Sequence, residues 1–166
     1  MAAIEIDTLR EQILALIDGV DARMSFDEAV ANFPSEAINT FPANVTYTPW
    51  HLLEHLRITQ WDILDYVVNR DYRELRWPQD YWPSPDATAT PAEFEATIAA
   101  FRADNQRLHD LVADPAVDLL AVIPNTPGHT TLREIRVAAD HNSYHIGEFA
   151  ILRQIMGTWP ARRSGG

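Results

Sequence analysis

The sequence predicts an all-α protein, a four-helix bundle with long loop covers, on three observations. Four long stretches place apolar residues at helical spacing with polar residues between them. The last three of these open on capping-box or cap-and-proline patterns, and no stretch alternates convincingly as a strand would. Two of the helices each carry histidines four residues apart, His51 with His55 and His141 with His145. Residues at that spacing are successive rungs of one helix face, so each pair can aim two imidazoles at one point.

In chain order, the first stretch, 4–23, puts Ile6, Leu9, Ile13, Leu16, Ile17 and Val20 on one face of an amphipathic helix. Ser25-Phe26-Asp27-Glu28 has the capping-box pattern and predicts a short helix over 26–32, stopped ahead of Pro34, with loop from there to Thr48. Thr48-Pro49 starts the second long helix, 50–68, whose apolar face is Leu53, Leu56, Ile63 and Leu64. Residues 69–89 hold Tyr72, Trp77-Pro78, Tyr81-Trp82-Pro83 and Pro85, too apolar for a flexible linker. That stretch reads as a cover folded over the bundle end, either simply packed there or forming one wall of a pocket. Thr90-Pro91-Ala92-Glu93 opens the third long helix, to residue 112, with Phe94, Ile98, Phe101, Leu108 and Leu111 inside; His109 reads as a surface residue. Residues 117–130 form a second cover, in which 118–123 is expected to be a short strand or an extended run. Thr131-Leu132-Arg133-Glu134 caps the fourth long helix, which runs to Met156 and stops at Gly157.

At 166 residues the chain reads as one domain over 1–160 with a disordered tail, 161–166. The absence of cysteine excludes a cysteine nucleophile, a thiolate metal site and a disulfide scaffold. A formal charge of −11 argues against general affinity for nucleic acid or an anionic membrane, because both draw on clustered Lys and Arg. With neither a basic lead nor a long apolar run at its start, and no window long enough to span a bilayer, the protein is expected to be cytoplasmic.

The histidines carry the chemistry. Taking about 100° per residue, Val137, Ala138, Phe149, Leu152, Ile155 and Met156 share the face of His141 and His145, so the pair sits within an apolar stripe. In a poorly solvated place neither imidazole gains by becoming cationic, and as neutral nitrogens the two suit Zn, Ni or Fe. Two histidines supply half of a tetrahedral site, and a catalytic site usually has three protein ligands and an open position. For the third ligand His55, central in its helix, is better placed than His51, which sits in the first turn where fraying and solvent intrude. Asp62, two turns on from His55, either orients an imidazole or is a solvated carboxylate. Glu134, two turns before His141, fits favourable placement against the helix dipole. Glu148, one turn after His145, is the candidate catalytic carboxylate, taking or holding a proton near the metal, unless its side chain bends out to solvent. His129 reads as a loop histidine.

Thr48-Pro49-Trp50-His51-Leu52-Leu53-Glu54-His55-Leu56, Asp140-His141-Asn142-Ser143-Tyr144-His145-Ile146-Gly147 and the ending Arg153-Gln154-Ile155-Met156-Gly157 resemble the DinB/YfiT-like superfamily. The resemblance implies a bundle of that type and a facial triad for a divalent metal ion, one histidine of the second helix joining two of the last. Carried onto this chain, the ligands are His55, His141 and His145, with His51 outside the set. It also implies an activity class, since relatives include metal-dependent transferases and isomerases that use low-molecular-weight thiols such as bacillithiol, mycothiol or glutathione. The expected function is a metal-dependent enzyme of thiol S-transferase or hydrolase type acting on a small-molecule substrate, and the expected assembly is a homodimer. The alternatives are a non-catalytic stress-response or binding module with a structural or vestigial metal, and an interaction protein whose histidines are core. No basic cluster marks a place for a negatively charged thiol cofactor, although Arg57, Arg133 and Arg136 lie on the two histidine helices.

Overall fold

The helix ends follow their local chemistry. In the computed structural model, which describes residues 3–19 and 22–160, the helices are α1 (Ala3–Asp18), α2 (Phe26–Val30), α3 (Pro49–Val68), α4 (Pro91–Ala113) and α5 (Thr131–Met156). Val20 and the expected tail, 161–166, lie outside the described residues. Ser25 and Thr90 cap α2 and α4 in full capping boxes closed by Glu28 and Glu93. Thr48 does the same for α3, but there His51 takes the place of the glutamate: its Nδ1 accepts the Thr48 N–H at 3.2 Å.

Several boundaries differ from expectation. α1 stops at Asp18 rather than residue 23, because Gly19 turns into the left-handed region at φ 71°, where a residue without Cβ is favoured. α2 ends at Val30, and the expected loop after it contains a 3-10 turn at Ser35–Ala37. The N-cap of α5 is Thr130, not Thr131: Thr130 is held extended by a bridge to Val122, and its hydroxyl accepts the Arg133 N–H. Residues 118–123 form no strand, since that one bridge is the whole of their pairing among the described residues. Asp118 instead bends the chain by accepting the Leu120 N–H, and fully buried Leu119 anchors the turn.

α3 and α5 run antiparallel, and two hydrophobic clusters fill the bundle around them. One joins Leu52 and Leu53 to Phe94, Ile98, Ile146, Phe149 and Leu152; the other joins Ile63 and Leu64 to Ile13, Ile17, Leu108, Val112, Ile135 and Ala138. Between them Asn142 donates to Gln60, which donates on to the Phe101 carbonyl, so this buried polar layer is held by directed bonds. Two residues expected on inner faces are exposed, Leu16 at 43% and Ile155 at 51%. The buried line of α5 instead runs through Ile135, Ala138, Asn142, His145, Phe149 and Leu152, so its inward face is rotated slightly from the expected one.

Two buried arginines replace apolar packing at chain ends. Arg153, fully buried, donates to the carbonyls of Ala29, Ala31 and Thr158, while Arg10 donates to those of Val112 and Val117. Each satisfies carbonyls that a helix end leaves open. The 69–89 cover lies along one side of α3, which is why His51 at 2% exposure and Asp62 at 6% are buried rather than solvated. No described helix is long and apolar enough to cross a membrane.

Candidate metal centre

Antiparallel packing of α3 on α5 brings His55 opposite His141 and His145. Their ligand nitrogens all lie within 4.8 Å of one another. His55 Nε2 is 3.2 Å from His145 Nε2 and 3.1 Å from His141 Nε2. His51, although buried four residues away, is not part of the group: its Nε2 faces the Ala87 carbonyl at 2.9 Å and its Nδ1 serves the α3 cap.

The outer nitrogens decide what the inner ones present. His55 Nδ1 lies 2.9 Å from the Tyr81 carbonyl, which can only accept, so that nitrogen carries the proton and Nε2 presents a lone pair. His145 Nδ1 lies 2.6 Å from a Glu148 oxygen, which accepts the proton on that nitrogen while Nε2 faces the other two rings. The two Nε2 atoms face each other at 3.2 Å. Among the described residues His141 Nδ1 is buried without a hydrogen-bond partner. A converging set of imidazole lone pairs is repulsive by itself and is relieved by a shared cation. Two nitrogens each about 2.1 Å from one ion have separations of this size, as both pairs that include His55 do, so His55, His141 and His145 form a group that could hold a divalent metal ion.

Electrostatics agree. Burial lowers the His55 imidazole to about 4, with the Tyr81 carbonyl pulling the other way and His145 adding to the fall. Burial lowers His141 to about 3, helped by the neighbouring His145 and His55. Both rings are therefore neutral at physiological pH, the form that ligates. Burial by itself would raise the Glu148 carboxyl, but its bonds from His145 and Tyr47 outweigh that and hold it below the ordinary carboxylate range. The Tyr47 hydroxyl, pushed up by burial and by Glu148, keeps its proton and donates it to that carboxylate.

The first cover walls the centre. The Trp82 ring lies flat on His55, centroids 3.9 Å apart at 8°, and stands edge-on to His145 at 6.3 Å. On its other flank Trp82 and Tyr47 line a cleft of about 330 Å³ with Thr46, His51, Pro83 and Pro85. Trp82 belongs to the cover that the sequence offers as a pocket wall, whereas Tyr47 is not marked by sequence position: it is 101 residues from Glu148, and only its place just ahead of the α3 cap hints at a role.

The other candidates fall elsewhere. Asp62 accepts the hydroxyls of Tyr72 and Tyr81 at 3.0 and 2.7 Å and touches no imidazole ring. Glu134 is buried and bound by Arg133 and His129, and His129 in turn meets the Tyr66 hydroxyl at 2.9 Å, so this loop histidine is tied to α5. Arg57 is paired with Glu54 at 2.5 Å and Arg133 with Glu134.

A helical bundle whose two antiparallel helices present three histidines to one point defines the class of protein: an all-α protein built around a candidate metal centre. The DinB superfamily model matches residues 18–149 of the sequence, and the chain belongs to that superfamily. Neither the curated proteins nor the solved structures contain a significant match to it.

Proposed function

We propose that this chain is a divalent-metal-dependent enzyme acting on a small molecule, of thiol S-transferase or hydrolase type. The observation that supports it most is the convergence of the His55, His141 and His145 imidazoles, their Nε2 atoms turned toward one another. Such an ion, Zn, Ni or Fe, would be held by His55, His141 and His145 and would supply a Lewis acid that lowers the pKa of a thiol or water. Glu148 holds His145 through Nδ1 and connects it to the Tyr47 hydroxyl at the cleft wall, so it both orients the ligand and is placed to exchange a proton with a substrate-side group. The cleft residues carry no charged side chain, and Arg57 and Arg133 are committed to carboxylates. This favours an uncharged substrate and gives a polyanionic thiol no obvious clamp.

One observation favours a second reading, a non-catalytic module with a structural metal: His55 and His145 are 2% and 9% exposed beneath Trp82, and closed sites are the structural kind. Elemental analysis of the protein as isolated tests the shared premise, with one divalent ion per chain expected and its loss expected in His145→Ala. Assay of the loaded and stripped protein with thiols against a panel of uncharged electrophiles separates the readings. Turnover only when loaded supports the enzyme, whereas unchanged substrates together with a metal-dependent rise in Tm support the module.

A further inference from the structure

One stripe of α3, His51, His55, Thr59 and Asp62, turns four polar side chains toward the 69–89 cover. Burying a carboxylate such as Asp62 in a bundle is costly unless it is hydrogen-bonded. Both its oxygens are used, and both by the cover: Oδ1 accepts from Tyr72 and Oδ2 from Tyr81. Burial pushes its carboxyl up, and the two tyrosine hydroxyls offset only part of that rise. Tyr81 is then gripped at two points. Its hydroxyl is tied to Asp62, while its backbone carbonyl accepts from His55 Nδ1 at 2.9 Å; Thr59 Oγ, at 3.5 Å, is a distant second partner for that nitrogen. The next residue, Trp82, is the one stacked on the His55 ring. Further along, His51 Nε2 holds the cover again at Ala87.

Of the three histidines, His145 is oriented by a side chain on its own helix, Glu148, one turn away. His141 has no partner on Nδ1. His55 alone is oriented by a carbonyl of a loop, and a loop carbonyl is placed only as well as the loop is anchored. We propose that Asp62 is a positioning residue of the metal centre. It fixes Tyr81 through its hydroxyl, Tyr81 fixes the tautomer and tilt of His55 through its carbonyl, and the same anchor seats Trp82 over the ring. Asp62 thus acts on a ligand two helical turns away without touching it, and the inference rests on His55 being a metal ligand only in its final consequence.

The test uses the full chain in four forms: unaltered, Asp62→Leu, Tyr81→Phe, and Arg10→Met as a control that removes a buried polar staple remote from the centre. The first readout is the ¹⁵N signature of the His55 imidazole in metal-free protein, which reports the tautomer directly. The unaltered chain and Arg10→Met are expected to show one form with the proton on Nδ1, and Asp62→Leu and Tyr81→Phe a mixture. The second is metal affinity by chelator competition with Zn, together with the ligand-field spectrum of the Co-substituted chain. Loss of an outer partner typically weakens metal by about 10- to 100-fold, and a drop at the low end of that range, with a shifted spectrum, is expected for Asp62→Leu and Tyr81→Phe but not for Arg10→Met. An unchanged His55 signature in both cover variants overturns the proposal, as does an equal loss of affinity in Arg10→Met, which would make the effect one of general stability. If the unaltered chain binds no metal yet the His55 signature still responds to Asp62, the functional reading fails and the positioning role stands.

Discussion

The two histidine pairs are written identically, four residues apart on long helices, yet they do different work. On α5 both His141 and His145 join the centre; on α3 His55 joins it and His51 does not. The difference comes from what each helix face meets. α5 presents its pair across the bundle to α3, whereas α3 presents its pair partly to α5 and partly to a loop. His51, in the first turn, finds a backbone N–H of its own cap on one side and the Ala87 carbonyl on the other, so both ring nitrogens are satisfied before any ion is considered. Equal spacing gives equal reach along a helix; it does not give equal partners.

The largest effect expected from breaking this comparison is at the centre itself. His55→Ala and His145→Ala should each abolish stoichiometric metal, with affinity falling by more than the about 100-fold that marks loss of an outer partner; metal content after dialysis reads this. Acidification should come next. The folded-state pKa values of His55 and His141, about 4 and about 3, lie below the ordinary 6.5, so over that interval the unfolded chain binds more protons. The stability of metal-free protein is therefore full above about pH 6.5 and declines as pH falls toward 4. Melting curves from pH 7 to 4 should show a decline that flattens in His55→Gln. His51→Ala sharpens the contrast from the other side: it should keep one ion per chain while losing about 1–3 kcal/mol, because it strips a cap partner and leaves the part-buried Ala87 carbonyl without its donor. His51→Gln, whose amide can still accept the Thr48 N–H, should recover part of that loss in Tm. The smallest effect is expected at His109, a third of whose side chain is exposed, with no partner nearer than Asp18 at 4.0 Å. His109→Ala should move stability by no more than about 0.5 kcal/mol.

Legibility from sequence tracked how local each cause was. The caps at Ser25, Thr48, Thr90 and Gly157 are set by residues within a turn of one another, and they sit where the sequence places them. The grouping of His55, His141 and His145 was also legible, in part from the spacing and the central place of His55 on its helix, and as a full set from what the family resemblance implies. The stretch 118–123 misled: its apolar run fits a strand equally well, and only the lack of a partner made it a turn. Asp62 misled for the opposite reason. Its own helix gives a carboxylate on the face edge, and the hydroxyls that bury it come from a loop whose path no periodicity encodes.

By itself the chain's order of residues determined the long helices, most of their ends and which side of each is apolar, since backbone hydrogen bonding and side-chain period act over a few residues. Only the folded arrangement decided which nitrogen of His55 carries the proton, because that is set by the Tyr81 carbonyl of a loop, and which hydroxyl holds Glu148, the Tyr47 group 101 residues away. The identity of His55 as a candidate ligand can be read from its spacing, but its tautomer depends on a neighbour that long-range packing alone supplies.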